Sequence, residues 1–198
     1  MAVSAKLAKA LPKNSALFLC DMQEKFRNMI SYYPQILNTS ARVLQAARVL
    51  DIPIIVTEQY PKALGKTCSE LDVTDLKVFS KTNFNMLQPD VEEYFQTFKG
   101  VENVVICGIE GHVCVKSTVY ELLKRGINTH VVVDAVSSRS MVDRLFALKA
   151  MSEAGAQLTT SESVILGFVE DASHPKFREV QKIIMESAQD SGLLDSRI

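Results

Sequence analysis

The sequence predicts an α/β protein: a doubly wound, mainly parallel six-stranded sheet with helices on both faces. Three observations carry this expectation. Six short apolar runs alternate with longer amphipathic stretches along the 198 residues. Several of those runs are continuous Val, Ile and Leu, as strands covered on both faces are. No segment repeats with a period of roughly 20–50 residues, which sets aside solenoids and propellers. Such alternation builds βαβ units with right-handed crossovers.

The first strand is expected over residues 16–21. It follows 14 residues that carry lysine but neither acid nor arginine, read as an N-terminal extension, with a short organellar presequence as the alternative. Residues 15–198 are expected to form one domain, since the length is close to the usual size of a single unit. Leu37, Val43, Leu44, Ala47 and Leu50 recur near helical spacing, and Pro53 follows them, so a helix over 36–50 leads into a strand over 52–57. Residues 58–75 show no clear period and are long for a connection, which makes them a candidate lid or binding loop, or a plain surface loop.

A strand over 77–80 precedes a helix over 89–98 that opens on Pro89. The strand over 103–108 precedes a helix over 113–124, closed by Arg125 and Gly126 as a basic last turn and a left-handed cap. A strand over 128–134, a helix over 143–154 closed by Gly155, and a strand over 157–160 complete the sheet. A last helix over 175–186 is expected on the outside or against another subunit. Between these, Val164, Ile165, Leu166 and Phe168 cluster late in the chain. They either finish the core or form an exposed association patch, and on the second reading the protein is a homo-oligomer, a dimer or higher.

Charge narrows the function. With 22 basic and 23 acidic residues, and no block of like charge, the chain lacks the footprint of a nucleic-acid or anionic-membrane binder. A small, weakly charged ligand fits better. No apolar run approaches the roughly 20 residues that a bilayer requires. The four cysteines form no CxxC pair, which suits a reducing compartment, the cytoplasm first, with nucleus and mitochondrion open. His112, His130 and His174 stand at no metal-ligand spacing, so no metal is expected. GxSxG, GxGxxG and GxxxxGK motifs are missing, which sets aside serine-elbow, dinucleotide and nucleoside-triphosphate readings and leaves no cofactor implied.

In open α/β sheets, ligands sit at the carboxyl ends of the strands, near the point where strand order reverses. That rule selects Asp21 after the first strand, Lys81 after the third, and residues 108–114 after the fourth, hence an acid, an amine and a thiol. These are the minimum set for a nucleophilic cysteine with a base and a cation beside it. Cys114 falls in the first turn of a helix, where free amides and the macrodipole favour a thiolate. Each residue also has a plainer reading: Cys114 as a small buried hydrophobe, Asp21 as a turn cap, Lys81 as a solvated surface residue. Cys20 and Cys107, inside strands, read as packing, and Cys68 as a loop residue.

Four motifs in order resemble the isochorismatase-like cysteine hydrolase superfamily over residues 15–170. They are Leu17-Phe-Leu-Cys-Asp-Met-Gln23, Lys81-Thr-Asn-Phe84, Cys107-Gly-Ile-Glu-Gly-His-Val-Cys-Val115, and Val133-Asp-Ala-Val-Ser-Ser-Arg139 followed by the helix end at 151–155. Glu58-Gln-Tyr-Pro61 and His174-Pro-Lys-Phe177 are similar to its animal isochorismatase domain-containing branch.

The resemblance implies a Rossmann-like three-layer sandwich with a catalytic triad of Asp21, Lys81 and Cys114. It also implies an oxyanion hole from the backbone amides of Glu110 and Cys114, with a cis bond before Glu110. Gln23, Phe26, Tyr60, Phe84, Gly111 and His112 are the substrate-pocket candidates. The implied reaction is hydrolysis of a small amide-like substrate through an acyl-enzyme. The alternative is a homologue that keeps the fold but works chiefly by binding a protein partner. Relatives that hold a metal place an Asp and His cluster after the second strand; here Thr57-Glu-Gln-Tyr-Pro61 contains no histidine.

Overall fold

The computed structural model describes residues 9–193, so the first eight residues of the expected extension and the last five of the chain lie outside it. Six strands form one sheet: β1 (Ser15–Cys20), β2 (Ile54–Gln59), β3 (Val78–Lys81), β4 (Asn103–Gly108), β5 (Asn128–Val136) and β6 (Gln157–Thr159). Their spatial order is β3-β2-β1-β4-β5-β6, and every neighbouring pair is parallel. The chain moves outward from β1 to β3, then returns to the other side of β1 with β4. The strand order therefore reverses between β1 and β4, where the two carboxyl ends leave a crevice.

The helices are α1 (Tyr33–Val49), the single turn α2 (Pro61–Leu64), α3 (Pro89–Phe95), α4 (Lys116–Lys124), α5 (Met141–Glu153), α6 (Ser161–Val169) and α7 (Phe177–Ile183). Alternation along β1 divides the core between two layers. Leu17 and Leu19 pack with Val43 and Leu44 of α1, Ile165 and Phe168 of α6, and Val180 of α7. Phe18 and Cys20 face the opposite way, against Val91 of α3, Val119 and Leu122 of α4, and Leu148 of α5. Phe18 meets Phe95 edge to face, with ring centroids 5.3 Å apart.

Several expected boundaries move for identifiable reasons. The second strand starts at Ile54 rather than 52, because the Ile52 amide is still donating to the Ala47 carbonyl at the end of α1 and Pro53 has no amide to pair. The fifth strand runs two residues past 134, since a register irregularity lets Val136 pair with Gly108. The helix expected over 113–124 is two pieces: a π-helical turn, Gly111–Val115, and then α4. The last helix is shorter than 175–186, spanning only Phe177–Ile183.

Of the two readings left open for residues 164–168, the structure supports the first. Val164, Ile165 and Phe168 are buried within α6, and Leu166 packs on the same core, so this segment is no association surface. Thr160 caps that helix by accepting the Ser163 amide, and the uninterrupted apolar run is that of a helix covered on most sides. Among the described residues no helix is long and apolar enough to cross a membrane.

Candidate active site

Asp21 leaves β1 with a positive φ of 50°, a backbone conformation that non-glycine residues seldom adopt and that concentrates at functional positions. Its amide donates to the Thr57 carbonyl of β2 at 3.1 Å, and the Thr57 hydroxyl donates to Asp21 Oδ1 at 2.7 Å. The other oxygen, Oδ2, lies 2.7 Å from Lys81 Nζ but accepts no well-directed hydrogen bond. The side chains of both partners are almost wholly shielded from water. A buried carboxylate of this kind needs a countercharge, and the lysine supplies it.

Lys81 ends β3, the edge strand. Its ammonium also donates to Gln59 Oε1 at 2.6 Å and to the carbonyls of Asn83 and Phe84 at 3.1 and 3.2 Å. Burial opposes the charged form, but the acidic groups around the ammonium, Cys20, Asp21 and Cys114, outweigh it and hold the Lys81 pKa above the ordinary lysine value. The lysine stays a cation throughout the physiological range.

Cys114 sits in the π-helical turn after β4. Gly108 brings that turn close to β1: its φ is +119°, and a Cβ there would stand 2.0 Å from the Cys20 carbonyl oxygen. The next peptide, between Ile109 and Glu110, is cis. Around the thiol most amides are engaged, with Gly111 donating to the Ser137 carbonyl, His112 to the Ser138 hydroxyl, and Val113 and Val115 to the Glu110 carbonyl. The amides of Glu110 and Cys114 take no part in these bonds. The Cys114 thiol is within hydrogen-bonding reach of Cys20, whose own pKa burial pushes well up, so Cys20 stays a neutral thiol.

Asp21, Glu110 and Cys114 open onto one cavity of about 360 Å³, together with Phe26, Tyr60 and Phe84. Three of the six pocket candidates therefore line it and three do not. Gln23 is buried as a brace, donating to the carbonyls of Gln59 and Gly65 and accepting from the Gln59 amide. Gly111 is packed in: a Cβ on it would stand 3.1 Å from Val136 and 3.2 Å from Ser138. His112 is not among the lining residues; its Nδ1 lies 3.1 Å from the Ser138 hydroxyl.

Residues missed in the sequence are Thr57 and Gln59, which hold the acid and the amine, and Arg139, which lines the cavity and is clamped by Glu110. The 58–75 connection walls the cavity through Tyr60 and Leu64 and is pinned by Glu58, which accepts from the Thr67 amide and hydroxyl.

Glu24, Cys68 and Glu70 bring possible metal-ligand atoms close together. Arg27 already donates to both glutamates, and the Cys68 sulfur meets the Tyr33 hydroxyl at 3.3 Å. That donor set is an ion-pair cluster, apart from the cavity that Asp21 and Cys114 share.

A family model described as "Isochorismatase domain" matches residues 15–163. Isochorismatase domain-containing protein 2 of Xenopus laevis is 56% identical over 189 residues, covering 96% of this chain and 92% of the relative. Its Homo sapiens counterpart is 50% identical, covering 98% and 94%. Among solved structures, one described as MAR1 ribonuclease from Caenorhabditis elegans superposes with a TM-score of 0.91 at 54% identity, covering 96% of this chain and all of that one. Motif order, strand order and near-full-length similarity agree, and the chain belongs to the isochorismatase family.

Proposed function

We propose that the protein is a cysteine hydrolase of small amide-like substrates, with Cys114 as nucleophile, Asp21 as proton acceptor and Lys81 as the fixed cation paired with the acid. The observation that carries this reading is Asp21 Oδ2, buried beside the ammonium without a directed donor, on a residue that shares its cavity with Cys114. A carboxylate oxygen so placed is free to accept a proton from a thiol.

In the proposed reaction Asp21 takes the Cys114 proton and the thiolate attacks the amide carbonyl carbon. The carbonyl oxygen, now an oxyanion, is held by the Glu110 and Cys114 amides. The tetrahedral adduct collapses, breaking the C–N bond, and the amine leaves with the proton from Asp21. Water, deprotonated by the same carboxylate, then attacks the thioester, releasing the acid and restoring the thiol. Lys81 remains protonated and three-fold anchored throughout, so the charge beside Asp21 does not move.

The nematode relative described as a ribonuclease supplies a second reading. A phosphodiester substrate would call for cations that face the cavity and are free to meet phosphate. Here Lys81 and Arg139 are both paired with carboxylates. Ammonia release from a panel of primary amides, run beside cleavage of single-stranded RNA, tests the two. Amide turnover that disappears in Cys114→Ser is expected; RNA cleavage that survives this substitution, with no amide turned over, would overturn the hydrolase.

A further inference from the structure

The geometry points to a substrate class: an uncharged amide bearing a flat apolar or aromatic acyl group, with carboxylate-bearing compounds discriminated against. This rests on the hydrolase reading above and concerns the same cavity. Its volume, about 360 Å³, is near the lower end for small-molecule sites. The lining is dominated by Phe26, Tyr60, Leu64, Phe84, Ile109 and Val113. Tyr60 and Phe84 stand at the mouth with half or more of their surface in water, 50% and 57%. Two large rings left exposed just after the neighbouring strands β2 and β3 would gain by covering a flat apolar group.

Charge sets the other half of the selection. The lining residues include two carboxylates, Asp21 and Glu110, and one cation, Arg139. Glu110 accepts three contacts from the Arg139 side chain, Nε at 3.1 and 3.2 Å and Nη2 at 3.0 Å, so that guanidinium is already matched. Lys81 is fully shielded and spends its donors on Gln59, Asn83 and Phe84. A carboxylate entering this cavity would meet Asp21 with no unpaired cation among the described lining residues. Only the amides of Glu110 and Cys114 would offset the hydration it loses, while Asp21 repels it, which is discrimination by repulsion as well as by fit.

Three alkylating agents with one reactive group test this without knowledge of the substrate: iodoacetamide, iodoacetate and N-benzyl iodoacetamide. Each rate at Cys114, read by peptide mass spectrometry, is divided by the rate of the same reagent with glutathione. The expected order is N-benzyl iodoacetamide, iodoacetamide, iodoacetate, with at least a ten-fold span. Phe84→Ser should bring the benzyl-to-plain ratio toward one, and Glu110→Gln, which frees Arg139, should raise the iodoacetate rate relative to iodoacetamide. Labelling with no charge preference, or with iodoacetate ahead, overturns this substrate class and leaves the nucleophile standing. Failure of all three reagents to label Cys114 overturns the hydrolase reading and this one with it. The comparison on the unsubstituted protein decides the matter even if a variant fails to fold.

Discussion

Thr57 and Asp21 are joined twice across neighbouring strands: the Asp21 amide donates to the Thr57 carbonyl at 3.1 Å, and the Thr57 hydroxyl donates to Asp21 Oδ1 at 2.7 Å. One bond fixes the backbone and the other fixes the rotation of the carboxyl group. Oδ2 is thereby held toward Lys81, and on the hydrolase reading Thr57 is a positioning residue.

Thr57→Val keeps the shape and removes the donor. A hydrogen bond to a charged group is worth about 1.5–3 kcal/mol, so kcat/KM should fall roughly ten- to a hundred-fold. Most of the loss should lie in kcat, and Thr57→Ser should recover it. A fall in Thr57→Ser equal to that in Thr57→Val would mean that packing, not the hydroxyl, matters.

Lys81→Met leaves Asp21 buried without its countercharge and should cost about 3–5 kcal/mol in denaturant unfolding at pH 7. The double variant Asp21→Asn/Lys81→Met should regain part of that. Because the folded protein holds the Lys81 pKa above the ordinary value, the lysine contributes fully below an unfolded pKa of about 10.4 and loses its contribution as pH rises through the folded value. The stability gap between wild type and Lys81→Met should be flat from pH 7 to 9 and shrink only above that window. A gap that already shrinks between pH 7 and 9 would contradict the assignment.

Brief treatment with limiting iodoacetamide at pH 8 should modify Cys114 before the other three cysteines. Burial pushes the thiols of Cys20, Cys68 and Cys107 up in pKa, leaving little thiolate at this pH. First modification of Cys68 or Cys107 in the folded protein would count against the placement of Cys114 as the reactive thiol.

Gly108→Ala should be destabilising by about 4 kcal/mol or more, since the added Cβ meets the Cys20 carbonyl oxygen at 2.0 Å and the backbone has φ of +119°. Gly126→Ala is the control. It has a comparable backbone problem, φ +77°, but nothing within 4 Å of the added carbon, and should cost only about 1 kcal/mol. Thermal unfolding of the two variants separates steric closeness from backbone preference.

The parts of this fold that were legible in the sequence are those written in local pattern. β1 and β4 announce themselves as continuous apolar runs, and the carboxyl-end rule then selects Asp21, Lys81 and Cys114 without any contact information. What was not legible depends on pairing across strands. Thr57 reads as an ordinary strand end and Gln59 as part of a loop until β2 is laid beside β1 and β3, and Arg139 meets Glu110 only when residues far apart in the chain are brought together. Gln23 and His112 fall outside the cavity's lining for the same reason, since adjacency to a motif says nothing of which way a side chain turns. The segment 164–168 carries no polar stripe, so pattern alone cannot separate a covered helix from an exposed patch.

The cation beside Asp21 comes from β3, a four-residue strand at the edge of the sheet that pairs with β2 alone. Edge strands of that length open by local fluctuation far more readily than the interior of a sheet. The site's resistance to heat or mild denaturant is therefore set by the sheet's weakest border and not by its core: on the hydrolase reading, activity should fade while the bulk of the molecule is still folded. Amide exchange at Val78–Lys81 should follow that fading, ahead of exchange in β1 and β4.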